Sequence, residues 1–495
     1  RIIDVKSIGN FMSVVFYFSK GVSFLLVLSF SIFSLNVSAS SVGIENGQLI
    51  IAPPNNLQNP LNKLSTRSID HGISTKEYVG LIKQPTLVVL ISFNDQKIST
   101  DLQEWENRIF KNEFSVTSFF DTNSLGAFQV VPATSTGVIE VQLDQDHPDF
   151  GSNYAKSTSL ANQAIVEVSK IIDLSEYDTN KNKIIEVREL AFVFVGAGFE
   201  KSFGGKNASH PNIWGHQSSS YLLADNLRIS GYVLFGEKHG NHQASIGIIC
   251  HELGHLYFNL PDLYDRDGSS AGAGNWGVMS YGTWGSSGVQ LGDRPVNMLA
   301  WSRQKVGFLK LADPKESKII TSDTPVKITT QDPLEYFIVE YRKKTGFDQS
   351  LSGSGMLVTH IDESVRGYND DEYHKMIDIE EADGDESLDS FRNYGSASDL
   401  FATDNSQWSF DQSTTPNSDS YTDGESSVSI MFSKLNNDSD SVGITYFQSA
   451  PSVESKHKLG SVNMLWLCAL LMMLIYVRIQ KEEPLRVQLH QSKQH

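Results

Sequence analysis

The segment His251-Glu252-Leu253-Gly254-His255 places two imidazoles four residues apart, with a carboxylate beside the first. On a helix such positions share one face, so both rings can grip one metal ion from the same side. Glu252 can then reach a metal-bound water without itself being a ligand, the arrangement that makes water a nucleophile at neutral pH. A histidine pair buried for packing alone is the bland alternative, and the flanks argue against it. Ile246, Ile248 and Ile249 supply an apolar body, Ser245 suits the N-cap, and the spacing predicts a helix from Gln243 to Tyr257. Pro261 ends that helix, and the chain then delivers two carboxylates, Asp262 and Asp265, where a third zinc ligand is commonly placed.

Further along, Gly274 to Gly285 is rich in glycine and tryptophan around Met279. A Met in such a turn is more often packing. After an H-E-x-x-H helix it looks like the Met-turn of metzincin-type proteases, a hydrophobic base beneath the metal. Tyr281 would then aim its phenol at the oxyanion of a tetrahedral intermediate; filling the turn is the alternative.

Together with other segments, these motifs resemble the immune inhibitor A family of secreted bacterial metalloendopeptidases. The similar stretches are Phe110 to Gly126, Asn212-Ile-Trp-Gly-His216, Cys250 to His255, Leu260 to Asp265, Glu381-Ala-Asp-Gly384 and Ser413 to Asn417. The resemblance runs over roughly residues 80 to 447, and the metal motif is its most specific part. It implies a metzincin-like α/β zincin domain that hydrolyses peptide bonds in proteins. The family pattern places a Gly and then an Asp after the second His, with the Asp at the sixth position. Here Phe258 and Asn259 stand where the single Gly would be, and Asp262 falls at the seventh. Asn tolerates a left-handed turn, so Asn259 can replace the Gly while Phe258 is the extra residue. Asp262 is the expected third ligand, and Asp265 is the fallback.

Two acidic constellations suit calcium. Asp178, Asn180, Asn182, Glu186 and Glu189 follow the positions of an EF-hand loop, although Lys183 occupies the place of its glycine. Asp378 to Asp385, with Glu381 and Asp383, lies in a longer acidic stretch, and such runs are usually solvated. His239 and His242 read as loop residues, at most a rim to the cleft.

The chain has 495 residues, 40% of them hydrophobic, enough for two cores. A formal net charge of −18 argues against nucleic acid or anionic lipid as a partner of the soluble part. The two cysteines, Cys250 and Cys468, are too differently placed to pair, so cores, with calcium as a candidate aid, must hold the fold. Cys250 reads as a small buried apolar residue.

The expected organisation starts with a signal-peptide region over 1–39, its start at Met12 and cleavage after Ala39, then a leader or propeptide over 40–82. The catalytic domain spans 83–312. It opens with a strand at Thr86 to Ser92, has a second at Leu190 to Gly196, and carries helical spacing over 160–173. Alternating runs at Val326 to Thr330, Glu335 to Glu340 and Gly355 to Ile361 predict a β-sandwich-like module over 313–448. A linker (449–460), a short apolar transmembrane or sorting helix (461–478) and a cytoplasmic tail (479–495) follow. That ending resembles the glycine-glycine type of sorting tail of Gram-negative secreted proteins, with membrane contact through the helix unless it is removed.

The sequence thus points to an exported zinc endopeptidase, secreted or at the cell surface, with protein or peptide substrates. Three other classes remain: a zinc exopeptidase on the same scaffold, a calcium-stabilised surface adhesin with an inert metal motif, and a structural envelope protein without zinc.

Overall fold

The computed structural model describes residues 80–448 except 312–317, 322, 367, 404–406, 422–423, 425 and 434–441, and three short strands at Ser38–Ser40, Gly43–Glu45 and Gln48–Ile50. The signal region up to residue 37, most of the leader, the linker, the terminal apolar helix and the tail lie outside the described residues. Among the described residues, no helix is long and apolar enough to cross a membrane. Two compact units emerge. One gathers residues 80–121 and 128–260 with the N-terminal strands, and the other 122–127 and residues from 261 onward.

In the first unit, the run predicted to be a buried strand extends over Ile82–Ser92, and Leu87 to Ile91 are wholly buried. Such a continuous apolar run marks a strand covered on both faces, as parallel sheets are. It pairs in parallel with Ala191–Glu200 on one side and with Phe128–Pro132 and Val138–Gln142 on the other. Ala191–Glu200 pairs in parallel with Tyr232–His239, and antiparallel strands at His216–Ser218 and Ser38–Ser40 extend the sheet beyond it. The helix Tyr154–Ser169 presents Leu160, Ala161, Ala164, Ile165 and Val168 to a core that includes Leu87, Val89, Ile91, Phe192 and Phe194. Burying each larger apolar side chain contributes roughly 1.5–3 kcal/mol, far more than helix propensity alone would supply.

In the second unit, two short 3-10 turns, Gly274–Trp276 and Tyr281–Trp284, precede the helix Ala300–Lys305. Two small antiparallel sheets follow. One orders Val326–Thr329, Glu335–Arg342, Gly355–Asp362 and Ile377–Glu380; the other orders Lys318–Ile320, Val442–Gln448, Val428–Ser433 and Ser409–Phe410. Alternate residues of both, among them Val326, Ile328, Phe337, Val339, Met356, Val358, Val428, Ile430 and Phe432, join one core. Val326–Thr329, Ile377–Glu380 and Val428–Ser433 alternate buried with less buried residues, as strands covered on one face do, whereas Glu335–Arg342 and Gly355–Asp362 are buried almost throughout.

Candidate metal centre

The helix bearing the two histidines runs from Ile246 to Phe258, later at both ends than its spacing predicts. At the start, His242 and Gln243 pair with His239 and Lys238 in a hairpin, so the chain is free to coil only after Ala244. His239 and His242 are therefore hairpin residues, and His239 is buried. Ser245 occupies the N-cap, but its hydroxyl lies 3.3 Å from His239 Nδ1 rather than capping the helix. Every residue from Ile246 to Phe258 is buried, so the helix has no solvent-exposed face and its imidazoles sit in the interior.

At its other end the helix absorbs the extra residue. Phe258 is helical and packs against Phe120 and Phe128, while Tyr257 shares a 2.9 Å hydrogen bond with Thr86. Asn259 then adopts φ 53° and ψ 35°, and its N–H bonds to the His255 carbonyl at 2.9 Å. Asn259 does take the left-handed cap that glycine would otherwise supply.

The Nε2 atoms of His251 and His255 lie 3.1 Å apart. A tetrahedral zinc with Zn–N bonds of about 2.0–2.1 Å holds two ligand nitrogens about 3.3 Å apart, so the spacing fits one shared ion. His255 Nδ1 is 2.6 Å from the Leu260 carbonyl oxygen, which can only accept. The proton therefore sits on Nδ1, and Nε2 turns its lone pair towards His251, the usual way an outer bond orients a metal-ligating imidazole. Ligand atoms of His251, His255 and Asp262 lie within 4.8 Å of one another, and all three residues are buried. Two imidazoles and a carboxylate are a zinc donor set that leaves one coordination position open. Glu252, beside the pair, is fully buried.

The two aspartates after the helix have separate tasks. Asp265 accepts hydrogen bonds from the N–H groups of Asp267, Gly268 and Ser270 and from the Ser269 hydroxyl, so its carboxylate closes a turn. Asp262 is the one placed with the histidines. Its neighbour Leu263 donates to the Met279 carbonyl at 2.8 Å and accepts from Ala273 N–H at 2.8 Å. Gly272 makes the latter approach possible. It has φ 53°, and a Cβ there would meet the Leu263 oxygen at 2.6 Å. Met279 is buried between the two 3-10 turns. Tyr281 packs against Tyr264, Phe391 and Tyr394, and its buried hydroxyl has no hydrogen-bond partner among the described residues. Burial, with Tyr394 and the Asp265 charge, holds that phenol well above its ordinary range.

Other sequence candidates lie apart from this group. His216 bonds to the Trp214 carbonyl and the Ser157 hydroxyl, each at 2.9 Å, and burial pushes its pKa down to about 4, so it is a neutral packing residue. Cys250 is buried with its thiol pushed up by desolvation. In the 178–189 loop, Asp178 accepts from the N–H groups of Asn182 and Lys183, and Glu189 from those of Thr179, Asn180 and Glu186. Asn180 and Asn182 also accept from backbone N–H groups, and Glu186 pairs with Arg188. Lys183, at the glycine position, has φ 65°. Glu381, Asp383 and Asp385 do bring carboxylate oxygens within 4.8 Å of one another. Glu381 accepts from Ser387 and Leu388 N–H at 2.9 Å, and burial, aided by Asp399 and Asp389, pushes its pKa up to about 8. The Leu260 carbonyl was not foreseen as a site element. Its only sequence signal is the following Pro261, which keeps Leu260 out of the helix.

Residues 111–309 match the family model described as immune inhibitor A peptidase M6, catalytic domain. No curated protein matches the chain. The matched segment contains the histidine helix, Asp262, Met279 and Tyr281, and so encloses the whole of the metal group described above. This chain therefore carries the catalytic domain of the immune inhibitor A peptidase M6 family and is a zinc metalloendopeptidase.

Proposed function

We propose that this peptidase is exported and cleaves peptide bonds in protein substrates, with Glu252 as general base and acid and Tyr281 as oxyanion donor. The observation that carries the proposal is the pairing of His251 and His255 at Nε2, with His255 oriented by the Leu260 carbonyl and Asp262 completing the group. Zinc, when bound, supplies Lewis acidity that polarises a peptide carbonyl and makes water a nucleophile near neutral pH. Glu252 takes a proton from the attacking water as the new C–O bond forms. It then passes that proton to the amine nitrogen as the C–N bond breaks. Burial of Glu252 places this transfer in a low dielectric, where a positioned carboxylate acts strongly. Tyr281 is a donor whose hydroxyl has no partner among the described residues to give up, which suits it to the carbonyl oxygen as negative charge develops. Met279 would serve as the apolar base of the site.

Calcium is proposed at Glu381 and Asp383, together with Asp385, because a divalent ion would relieve the mutual repulsion of three close carboxylates. In the 178–189 loop, Asp178 accepts one backbone N–H at each carboxylate oxygen, which leaves each oxygen a lone pair for calcium. Membrane contact through the C-terminal apolar helix belongs to the same proposal of export.

The deciding experiment measures zinc content and casein cleavage of the full chain beside Glu252→Ala. One zinc per chain in both, with cleavage confined to the parent, is the expected result. Cleavage by the variant within about tenfold of the parent would remove Glu252 from the mechanism.

A further inference from the structure

Asn369 lies beyond the family-matched segment, in the turn before the strand Ile377–Glu380, and it is completely buried. Its Nδ2 donates to the Leu263 carbonyl at 2.9 Å and to the Ile377 carbonyl at 2.8 Å, and its Oδ1 accepts from Ile377 N–H at 3.0 Å. One side chain thus joins the residue directly after Asp262 to an edge strand of the antiparallel sheet. A second clasp lies three residues further along the loop. Asp370 Oδ1 accepts from Arg266 N–H at 3.1 Å and from Arg266 Nε at 3.0 Å, and the guanidinium lies 3.9 Å from the Tyr368 ring centre. Tyr368 itself has φ 69°, a conformation that costs free energy in a tyrosine and persists only where neighbours hold it.

The loop after the histidine helix has no regular structure of its own, so the place of its carboxylate depends on such anchors. Leu263 N–H is tied to Met279 within the catalytic domain. Its carbonyl is tied to Ala273 and to Asn369. We propose that Asn369 is a positioning residue for the third zinc ligand, and that the 368–370 turn splints the Asp262 loop from outside the catalytic domain. The proposal rests on Asp262 being a zinc ligand. Its consequence is that residues 111–309 by themselves would hold zinc weakly, because one wall of the ligand loop would be missing.

The test is the rate at which the full-length zinc protein loses its metal to a chromogenic chelator, with folding followed by circular dichroism. Asn369→Asp keeps the acceptor for Ile377 N–H and replaces the donor to Leu263 with a second acceptor. Arg266→Gln opens the outer clasp at an exposed position, so folding is not at stake. Asn369→Asp should release zinc about tenfold faster than the parent, the low end of the range for a partner bonded to a ligand itself, and Arg266→Gln several-fold faster. The d–d spectrum of the cobalt-substituted Asn369→Asp protein should shift as well. A merely structural Asn369 would lower the melting temperature of metal-free and metal-loaded protein equally and leave the release rate and spectrum alone, which would overturn the proposal. If Asn369→Asp does not fold, an unchanged release rate in Arg266→Gln is enough to overturn it. A parent that binds no zinc would instead sink the zinc assignment itself.

Discussion

His255 and His360 are both buried histidines, 6% and 3% exposed, but their surroundings give them opposite characters. His255 donates from Nδ1 to a neutral carbonyl, so its other nitrogen keeps a lone pair for a metal. His360 meets carboxylates at both nitrogens, Glu335 at 2.9 Å and Glu380 at 3.2 Å, with Tyr421 stacked on its ring. Burial opposes charge on His360, but the bonds to Glu335 and Glu380 outweigh it and raise its pKa to about 9. The first imidazole is built to stay neutral and ligate; the second is an imidazolium that holds a sheet together. What separates them is the partner on the far nitrogen, not burial.

The contrast between the two imidazoles can be measured. The largest effect is expected at the metal. His255→Ala and Asp262→Ala should lose zinc and all peptide hydrolysis, whereas His360→Gln should keep one zinc per chain, as metal analysis would report. Stoichiometric zinc in His255→Ala would end the distinction.

Next in size is the pH dependence of stability from His360. Its folded pKa lies above the ordinary value of 6.5, so its contribution is complete below about pH 6.5 and is lost as pH rises through 9. A shift of this size corresponds to on the order of 3 kcal/mol, as an upper bound. Glu335, held down to about 2 against the effect of burial by His360, Ser420 and the Tyr421 N–H, shares that interaction from the other side. It adds the mirror loss below about pH 4.5, not a second contribution. Denaturant midpoints taken from pH 2 to 10 should fall at both ends for the parent, and the alkaline fall should vanish in His360→Gln.

The smallest effect concerns the helix end. Asn259→Ala should cost about 1 kcal/mol, because alanine tolerates φ 53° less well, while Asn259→Gly should be neutral or slightly stabilising. Equal melting temperatures for the alanine and glycine variants would remove the left-handed cap as the account of the extra residue.

Much of the site was legible because its chemistry is local. The spacing of His251 and His255 becomes a shared face as soon as a helix forms, and Asn259 announces its turn by residue type. The strands at Ile82–Ser92 and Ala191–Glu200 were legible for a similar reason, since fully buried parallel strands have near-continuous apolar runs. The start of the histidine helix was not legible, because the hairpin that holds His242 and Gln243 is made with a strand, not with the helix.

The amino-acid sequence carries the metal chemistry in residue types and spacing, two imidazoles one helical turn apart with the Glu252 carboxylate beside the first. It also set the sense of the two sheet types through their hydrophobic periods. Folding is what distinguishes Asp262 from Asp265: it sets the former with the two histidines, and residues 267–270 give the latter four hydrogen bonds. It alone brought Asn369 to Leu263 across more than a hundred residues of chain. The physical reason is one of range. Helical periodicity and turn preference act between neighbours in sequence, whereas a loop ligand is held by hydrogen bonds whose partners are chosen only when the chain has folded.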